Sequence, residues 1–287
     1  MARRRPPTTH GTVIVDKPAG PTSHDIVGIL RRRFGERRIG HAGTLDPSAT
    51  GVLVVGVGHA TRLLRFATAG RKHYECEIVF GVATSTLDDD GARVATWTMG
   101  ISPEDVATAA TRFVGTISQL PPMVSAVRVG GRRLHEIARA GETADRSPRE
   151  VRVNEFDVTP TDDPLVYTAT VECSAGTFVR SLGADLGTAL GGGAHIRSLR
   201  RTRSGSFTAA EAAPPSEAEL LGMDELVRDL HQIALTSTEV GAARGGAHLA
   251  PSRYDGDGPW ALADAHGTLV AVHERAGGRM KATVLAG

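Results

Sequence analysis

The chain reads as an α+β protein: strand and helix patterns alternate irregularly over most of its length, and a small β-rich unit follows. Three observations carry this reading. Apolar runs of strand length are bounded by glycine and proline, apolar residues recur at helical spacing between them, and residues from about 234 break into short strands and turns. At 287 residues with 40% hydrophobic content, the chain can build one large core and a smaller one.

In chain order, GTVIVDKP at 11 to 18 predicts a buried strand. A helix is expected from about Ser23 to Phe34, with Thr22 or Ser23 as cap and Ile26, Val27, Ile29, Leu30 and Phe34 on its apolar face. A strand at 51 to 57, a short helix at about 60 to 68 and a longer strand at 72 to 80 come next. Asp88, Asp89, Asp90 and Gly91 predict a solvated turn, since the ligand spacing of a calcium loop is missing. Ser102, Pro103, Glu104 and Asp105 start a helix that presents Val106, Ala109, Ala110 and Phe113. The segment 120 to 150 reads as a flexible excursion, a hairpin turning at Gly130 and Gly131 and then a short basic helix. Strands at 151 to 159 and 165 to 173, a helix from about 177 to 190 and a strand at 194 to 203 follow, and 209 to 233 reads as acidic and helical. The expected division is 1 to 233 and 234 to 287.

Several classes of chemistry find no support. No apolar run approaches the ~20 residues of a membrane-spanning helix, and the basic, proline-bearing start has no apolar stretch of a secretory signal. Cys76 and Cys173 make neither a disulfide framework nor a zinc quartet, which suits a reducing cytoplasm. Phosphate-loop, dinucleotide and zinc-protease motifs are missing, so no cofactor and no metal are expected. The net charge of +1 hides an asymmetry, because residues 1 to 73 carry 13 basic against 4 acidic side chains. Arg31, Arg32, Arg33, Arg37 and Arg38 form one cluster, and Arg197, Arg200, Arg201 and Arg203 another. Such clusters either neutralise nucleic-acid phosphates or form a solvated face.

One segment concentrates chemical potential. GHAGTLDPSATGVLVVGVG at 40 to 58 sets Asp46 before Pro47, among glycines that allow sharp turns and close approach of a substrate. Read by residue type alone, Asp-Pro is more often a turn initiator than a reactive site.

GHAGTLDPSATGVL closely resembles the signature of the TruB family of tRNA pseudouridine-55 synthases, Gly-His-x-Gly-x-Leu-Asp-Pro-x-Ala-x-Gly-Val-Leu. The resemblance continues through DKPAGPTSHD at 16 to 25, RKHYECEIVFG at 71 to 81, QLPPMVSAVRVGGRRLHEIAR at 119 to 139, CSAGTFVRSLGADLG at 173 to 187 and GGGAHIRSLRRTRSG at 191 to 205. It implies a pseudouridine-synthase fold with a mixed, largely antiparallel sheet flanked by helices. The C-terminal part is loosely similar to a small PUA-type RNA-binding domain. The implied partner is the T-arm of tRNA, gripped by the 120 to 150 segment, with the enzyme a monomer.

By the same resemblance Asp46 is the nucleophile, Arg180 its ion-pair partner and Tyr74 the ring that stacks on an extruded uracil. Phe178 and Leu199 are apolar walls, His41 lies beside the flipped nucleotide, and Lys17 supports the active-site loop. Two departures affect pocket polarity: His135 and Phe178 stand where relatives commonly have tyrosine. An RNA-folding protein with an incidental site is the competing class. A retaining glycosidase needs a second carboxylate of comparable context, and none is evident.

Overall fold

The computed structural model describes residues 6–277 and 279–285. Arg3, Arg4 and Arg5 of the basic start lie outside the described residues. The chain opens with β1 (Gly11–Lys17), α1 (Ser23–Phe34), β2 (Ile39–Ala42) and β3 (Thr50–Val57). A 3-10 turn at Gly58–Arg62 leads to α2 (Leu64–Ala69), β4 (Lys72–Phe80) and a small hairpin, β5 (Val82–Thr84) and β6 (Arg93–Thr96). After α3 (Pro103–Thr111) and β7 (Gly115–Gln119) comes a second hairpin, β8 (Arg128–Val129) and β9 (Arg132–Arg133), running into α4 (Leu134–Arg139). The long strands β10 (Arg149–Pro160) and β11 (Val166–Cys173), helix α5 (Val179–Ala189), and strands β12 (Ala194–Ser204) and β13 (Phe207–Thr208) complete the large unit. A four-stranded sheet ends the chain: β14 (His231–Ala234), β15 (Trp260–Ala263), β16 (Leu269–Ala276) and β17 (Arg279–Leu285), with α6 (Ser237–Arg244) between its first two strands. It begins at 231, three residues before the break read from the sequence.

The principal sheet runs β1-β3-β12-β4-β11-β10-β7, with β2 on β3 and β13 on β12. Every pairing in it is antiparallel except β3 with β12, which is the mixed, largely antiparallel sheet expected. Both faces of β1 and β3 are covered, which explains their unbroken apolar runs. Val13, Val15, Leu53, Val55 and Val57 enter one core with Ile26, Val27 and Leu30 of α1, Val106 of α3, and Leu182 and Leu186 of α5. Their alternates Ile14, Val52 and Val54 enter a second core with Ala67 of α2 and with Ala261, Leu269 and Val272 of the C-terminal sheet. Helix α1 begins with a capping box in which Thr22 and Asp25 bond each other's backbone N–H, and it ends at Gly35 in the left-handed conformation.

Two sequence readings are corrected. Residues 209–233 are not helical beyond 3-10 turns at Ala209–Glu211 and Asp224–Val227. Pro214 and Pro215 interrupt any helix there, and the stretch instead covers the edge of β1, where Thr12 N–H donates to Leu221 O (3.0 Å) and Asp16 N–H to Ala213 O (2.8 Å). The Asp88 turn is not simply solvated: Asp88 is buried at 8% exposure, while Asp89 lies 3.4 Å from His195.

The free edge of β3 is shared between two neighbours. β12 pairs only with Thr50 and Gly51, and β2 pairs with Val54 to Val57. Between them the edge opens, and the 43–49 loop leaves through the gap. Gly51 makes the close approach possible: its φ is +101°, and a Cβ there would lie 2.2 Å from the Arg201 carbonyl oxygen. Gly51→Ala is therefore expected to destabilise the fold by about 2–4 kcal/mol through strain and overlap, read as a lowered midpoint in urea unfolding. A loss below about 0.5 kcal/mol would contradict this account of the strand fork.

Candidate active site

The loop that carries Asp46 is held mainly by neutral contacts from the DKPAGPTSHD segment. The Ser23 hydroxyl donates to Leu45 O (3.0 Å) and accepts from Leu45 N–H (2.9 Å), so one buried side chain completes both backbone groups. Gly20 N–H and the Lys17 ammonium both donate to Pro47 O, at 2.9 and 3.0 Å, and Lys17 also donates to Pro18 O at 2.8 Å. Lys17 is fully buried. Burial pulls its pKa down to about 8, against the opposing charge of Asp46. Lys17 thus touches the loop and does not line the pocket.

Asp46 stands at a cavity of about 350 Å³ whose walls include Tyr74, Phe178, Val179 and Leu199. A larger, more open groove of about 670 Å³ shares its Leu199 wall; it is lined by Glu75, Glu77 and Asp157 and by Arg197 and Arg200, each of which is already paired with a carboxylate. The Arg180 guanidinium is 2.9 Å from the Asp46 carboxylate and 3.3 Å from that of Asp88. It also donates to Thr86 O (2.6 Å) and Val124 O (2.8 Å), so its orientation is fixed by four acceptors. The Asp46 side chain is 35% exposed at the cavity mouth yet surrounded by protein on its other sides. Burial raises its carboxyl above the ordinary range; Arg180 opposes the rise and Asp88 adds to it.

Phe178 is set in place by Gln119, whose side-chain amide donates to Phe178 O (3.0 Å) and accepts from Phe178 N–H (2.7 Å) as a strand neighbour would. Tyr74 is buried in β4, and burial raises its phenol while the Arg201 guanidinium opposes by charge and hydrogen bond. Asp46, Tyr74, Phe178, Arg180 and Leu199 thus share one pocket. His41 does not join them in its lining: it lies in β2 opposite Val55, its Nδ1 buried with no hydrogen-bond partner among the described residues. Burial and the Arg201 charge lower its pKa. His135 anchors the excursion through Ser125 O (3.0 Å) and is not in the pocket.

The arginine cluster of β12 divides in two. Arg197 pairs with Glu77 (3.0 Å), Arg200 with Asp16 (2.9 Å) and Arg203 with Glu172 (2.6 Å). Arg201 lies on the same side of β12 as Leu199, just before a β-bulge, and is buried at 1% exposure. There it donates to Val52 O (2.7 Å) and Gly43 O (3.0 Å). In the N-terminal cluster, Arg31 bonds Arg37 O, Arg33 bonds Pro215 O and Arg38 bonds the Thr61 hydroxyl, while Arg32 and Arg37 stay exposed. Sequence reasoning missed Asp88, Gln119, Lys72 and the burial of Arg201. Gln119, Lys72 and Arg201 each lie within one of the matching runs, and Asp88 does not.

Comparison with known proteins defines the class. The family model for TruB family pseudouridylate synthase, N-terminal domain, matches residues 31–179, and that for the tRNA pseudouridylate synthase B C-terminal domain matches 180–233. The chain belongs to the TruB family of pseudouridylate synthases. Among its relatives are proteins named tRNA pseudouridine synthase B from Thermobifida fusca, 44% identical over 96% of this chain and 99% of that one, and from Mycobacterium sp. strain KMS, 43% identical over 96% and 95%. The fold is also that of a solved Cbf5-Nop10-Gar1 complex (TM-score 0.70, 25% identity, 92% of this chain and 78% of the other). A second match is an H/ACA RNP bound to a substrate RNA containing 2′-deoxyuridine (TM-score 0.68, 23% identity, 92% and 77%).

The buried Lys17 yields a pH test. Its folded pKa of about 8 lies below the unfolded value of 10.5, so the folded state sheds the proton first. Relative to Lys17→Met, the wild-type chain should gain stability as pH rises from about 8 to about 10.5, on the order of 2 kcal/mol. Denaturant melts of both proteins across that window check it, and a constant difference would refute it.

Proposed function

We propose that this protein isomerises the T-loop uridine of tRNA to pseudouridine, with Asp46 as nucleophile. The observation that carries the reading is the Asp46–Arg180 pair, 2.9 Å apart in a cavity walled by Tyr74, Phe178 and Leu199. The cavity is of a size to take one base drawn out of its stack. The ring of Tyr74 offers a face for the uracil, and Phe178 and Leu199 keep water from the reacting bond.

The carboxylate adds to C1′ of the ribose or to C6 of the base. The N1–C1′ bond breaks, the uracil turns, and C5 bonds to C1′; the carboxylate leaves C1′ as that bond forms, or leaves C6 afterwards, and C5 gives up its proton while N1 gains one. Substrate and product hold the same atoms, so the balance calls for no co-reactant. Arg180 keeps Asp46 ionised against burial, and its four fixed acceptors hold that charge in place. The excursion at 120–150, which supplies Val124 O to Arg180, grips the T-arm by its shape, and the unit from about 234 onward adds an RNA contact of PUA type.

Asp46→Asn is expected to abolish pseudouridine formation while tRNA binding stays within about fivefold, since the substitution is isosteric. Carbodiimide mapping of unmodified tRNA after incubation checks the first part and equilibrium binding the second; persistent isomerisation would remove Asp46 from its role. A separate expectation concerns acid. Because Asp46 works ionised with a raised carboxyl, kcat/KM should fall on an acid limb lying above the ordinary carboxylate value of about 3.9. Asp88→Asn removes a like charge and should move that limb to lower pH. A limb that stays in place would mean Asp88 does not act on Asp46.

A further inference from the structure

The cavity has a second end, away from Asp46, formed by Gly43, Thr68, Lys72 and Arg201. Lys72 and Arg201 are 4% and 1% exposed, and among the described residues neither has a carboxylate within ion-pair distance. Lys72 donates to Ala67 O (3.2 Å), and Arg201 donates to Val52 O and Gly43 O. Carbonyl dipoles orient these cations but do not neutralise them, and two like charges buried together oppose each other. With Lys17 and Arg180 the site buries four cations, against the carboxylates of Asp46 and Asp88.

The geometry leaves room for the missing counter-charge. Gly43 has φ +89°, and a Cβ at that position would point between Arg201 Nη1 (3.4 Å) and Lys72 Cε (3.9 Å). Gly43 puts no side chain into that space, and the side chains that do reach the two cations, the Tyr74 phenol beside Arg201 and the Cys173 thiol beside Lys72, are neutral and supply no counter-charge. We infer that this niche, bounded by Gly43, Lys72 and Arg201, binds a backbone phosphate flanking the extruded uridine. The inference rests on the reading of the cavity as a uridine site. The base enters at Asp46 and Tyr74, and its own chain brings the anion to the far end, so that one nucleotide satisfies both. Lys72 is then a positioning residue that holds the sugar–phosphate while the base turns.

The niche also has a proton signature. Burial and the Arg201 charge pull Lys72 down to about 8. The groups facing it are Arg201 from β12 and Cys173 from β11, whose thiol is pushed up to about 11 and stays neutral below that. A phosphate in the niche favours the ammonium form, so RNA binding should take up a proton and weaken as pH rises through about 8 toward 10.

The test uses the full chain carrying Asp46→Asn as parent, with Lys72→Met or Lys72→Arg added, and a T-arm stem-loop RNA. At pH 7.5, Lys72→Met should weaken binding by about tenfold and lower the salt slope by roughly 0.7–0.9, while Lys72→Arg stays near the parent. The gap between parent and Lys72→Met should close as pH approaches about 10, and Lys72→Arg should keep its affinity there. A neutral methylphosphonate at the 5′ or the 3′ linkage of the target uridine should weaken the parent but not Lys72→Met at one of the two positions, which names the phosphate. Cooperative melting of Lys72→Met at or above the parent's temperature separates lost binding from lost folding. If both neutral linkages weaken the parent and Lys72→Met equally, the phosphate niche is refuted while the uridine site stands. If the parent does not bind the RNA at all, the uridine reading itself fails.

Discussion

The architecture turns on one guanidinium at the point where the edge of β3 divides. β12 leaves that edge after Gly51 and β2 takes it up at Val54, so the Val52 carbonyl faces a gap that no strand fills. Arg201 fills it, bonding Val52 O through Nε and Gly43 O through Nη2 from the strand whose own backbone lies against Gly51. A buried carbonyl left without a donor costs on the order of 1–3 kcal/mol, and here a single side chain ties both sides of the loop exit. The 43–49 loop is consequently tied at its ends by the sheet and in its middle by Ser23, Gly20 and Lys17. Asp46 inherits that rigidity.

The same arrangement sets the electrostatics. Arg180 is oriented by two carbonyls and two carboxylates, and Lys17, Lys72 and Arg201 by carbonyls. A site that buries more cation than anion is unfavourable for the free protein and suited to a polyanionic ligand. Folding strength is supplied elsewhere, by the two cores on either face of β1 and β3.

Much of the local structure was legible because it obeys short-range rules. The span of α1 follows from its apolar spacing, the Thr22–Asp25 box and Gly35, and that of α3 from Ser102, Pro103 and Asp105. The run at 51 to 57 read as a strand because a segment buried on both faces needs no alternation. The stretch 209–233 was misread for the converse reason: its acids and apolar residues satisfy a helical pattern, but the unpaired edge of β1 claims its backbone. Asp88 looked like one of three aspartates in a turn, and nothing near it in the chain reveals that Arg180, 92 positions later, reaches it.

By itself the sequence determined the segments, their types and the conspicuous aspartate, since propensity, caps and the hydrophobic period act over a few residues, and the family signature singled out Asp46, Tyr74, Arg180, Phe178 and Leu199 as companions. Tertiary structure alone decided which charges are buried. In β12 four arginines of identical chemistry stand within seven residues, yet three pair with carboxylates and one is buried. A side chain's charge is a local property, but its solvation depends on neighbours brought from distant parts of the chain, and no pattern within β12 encodes them.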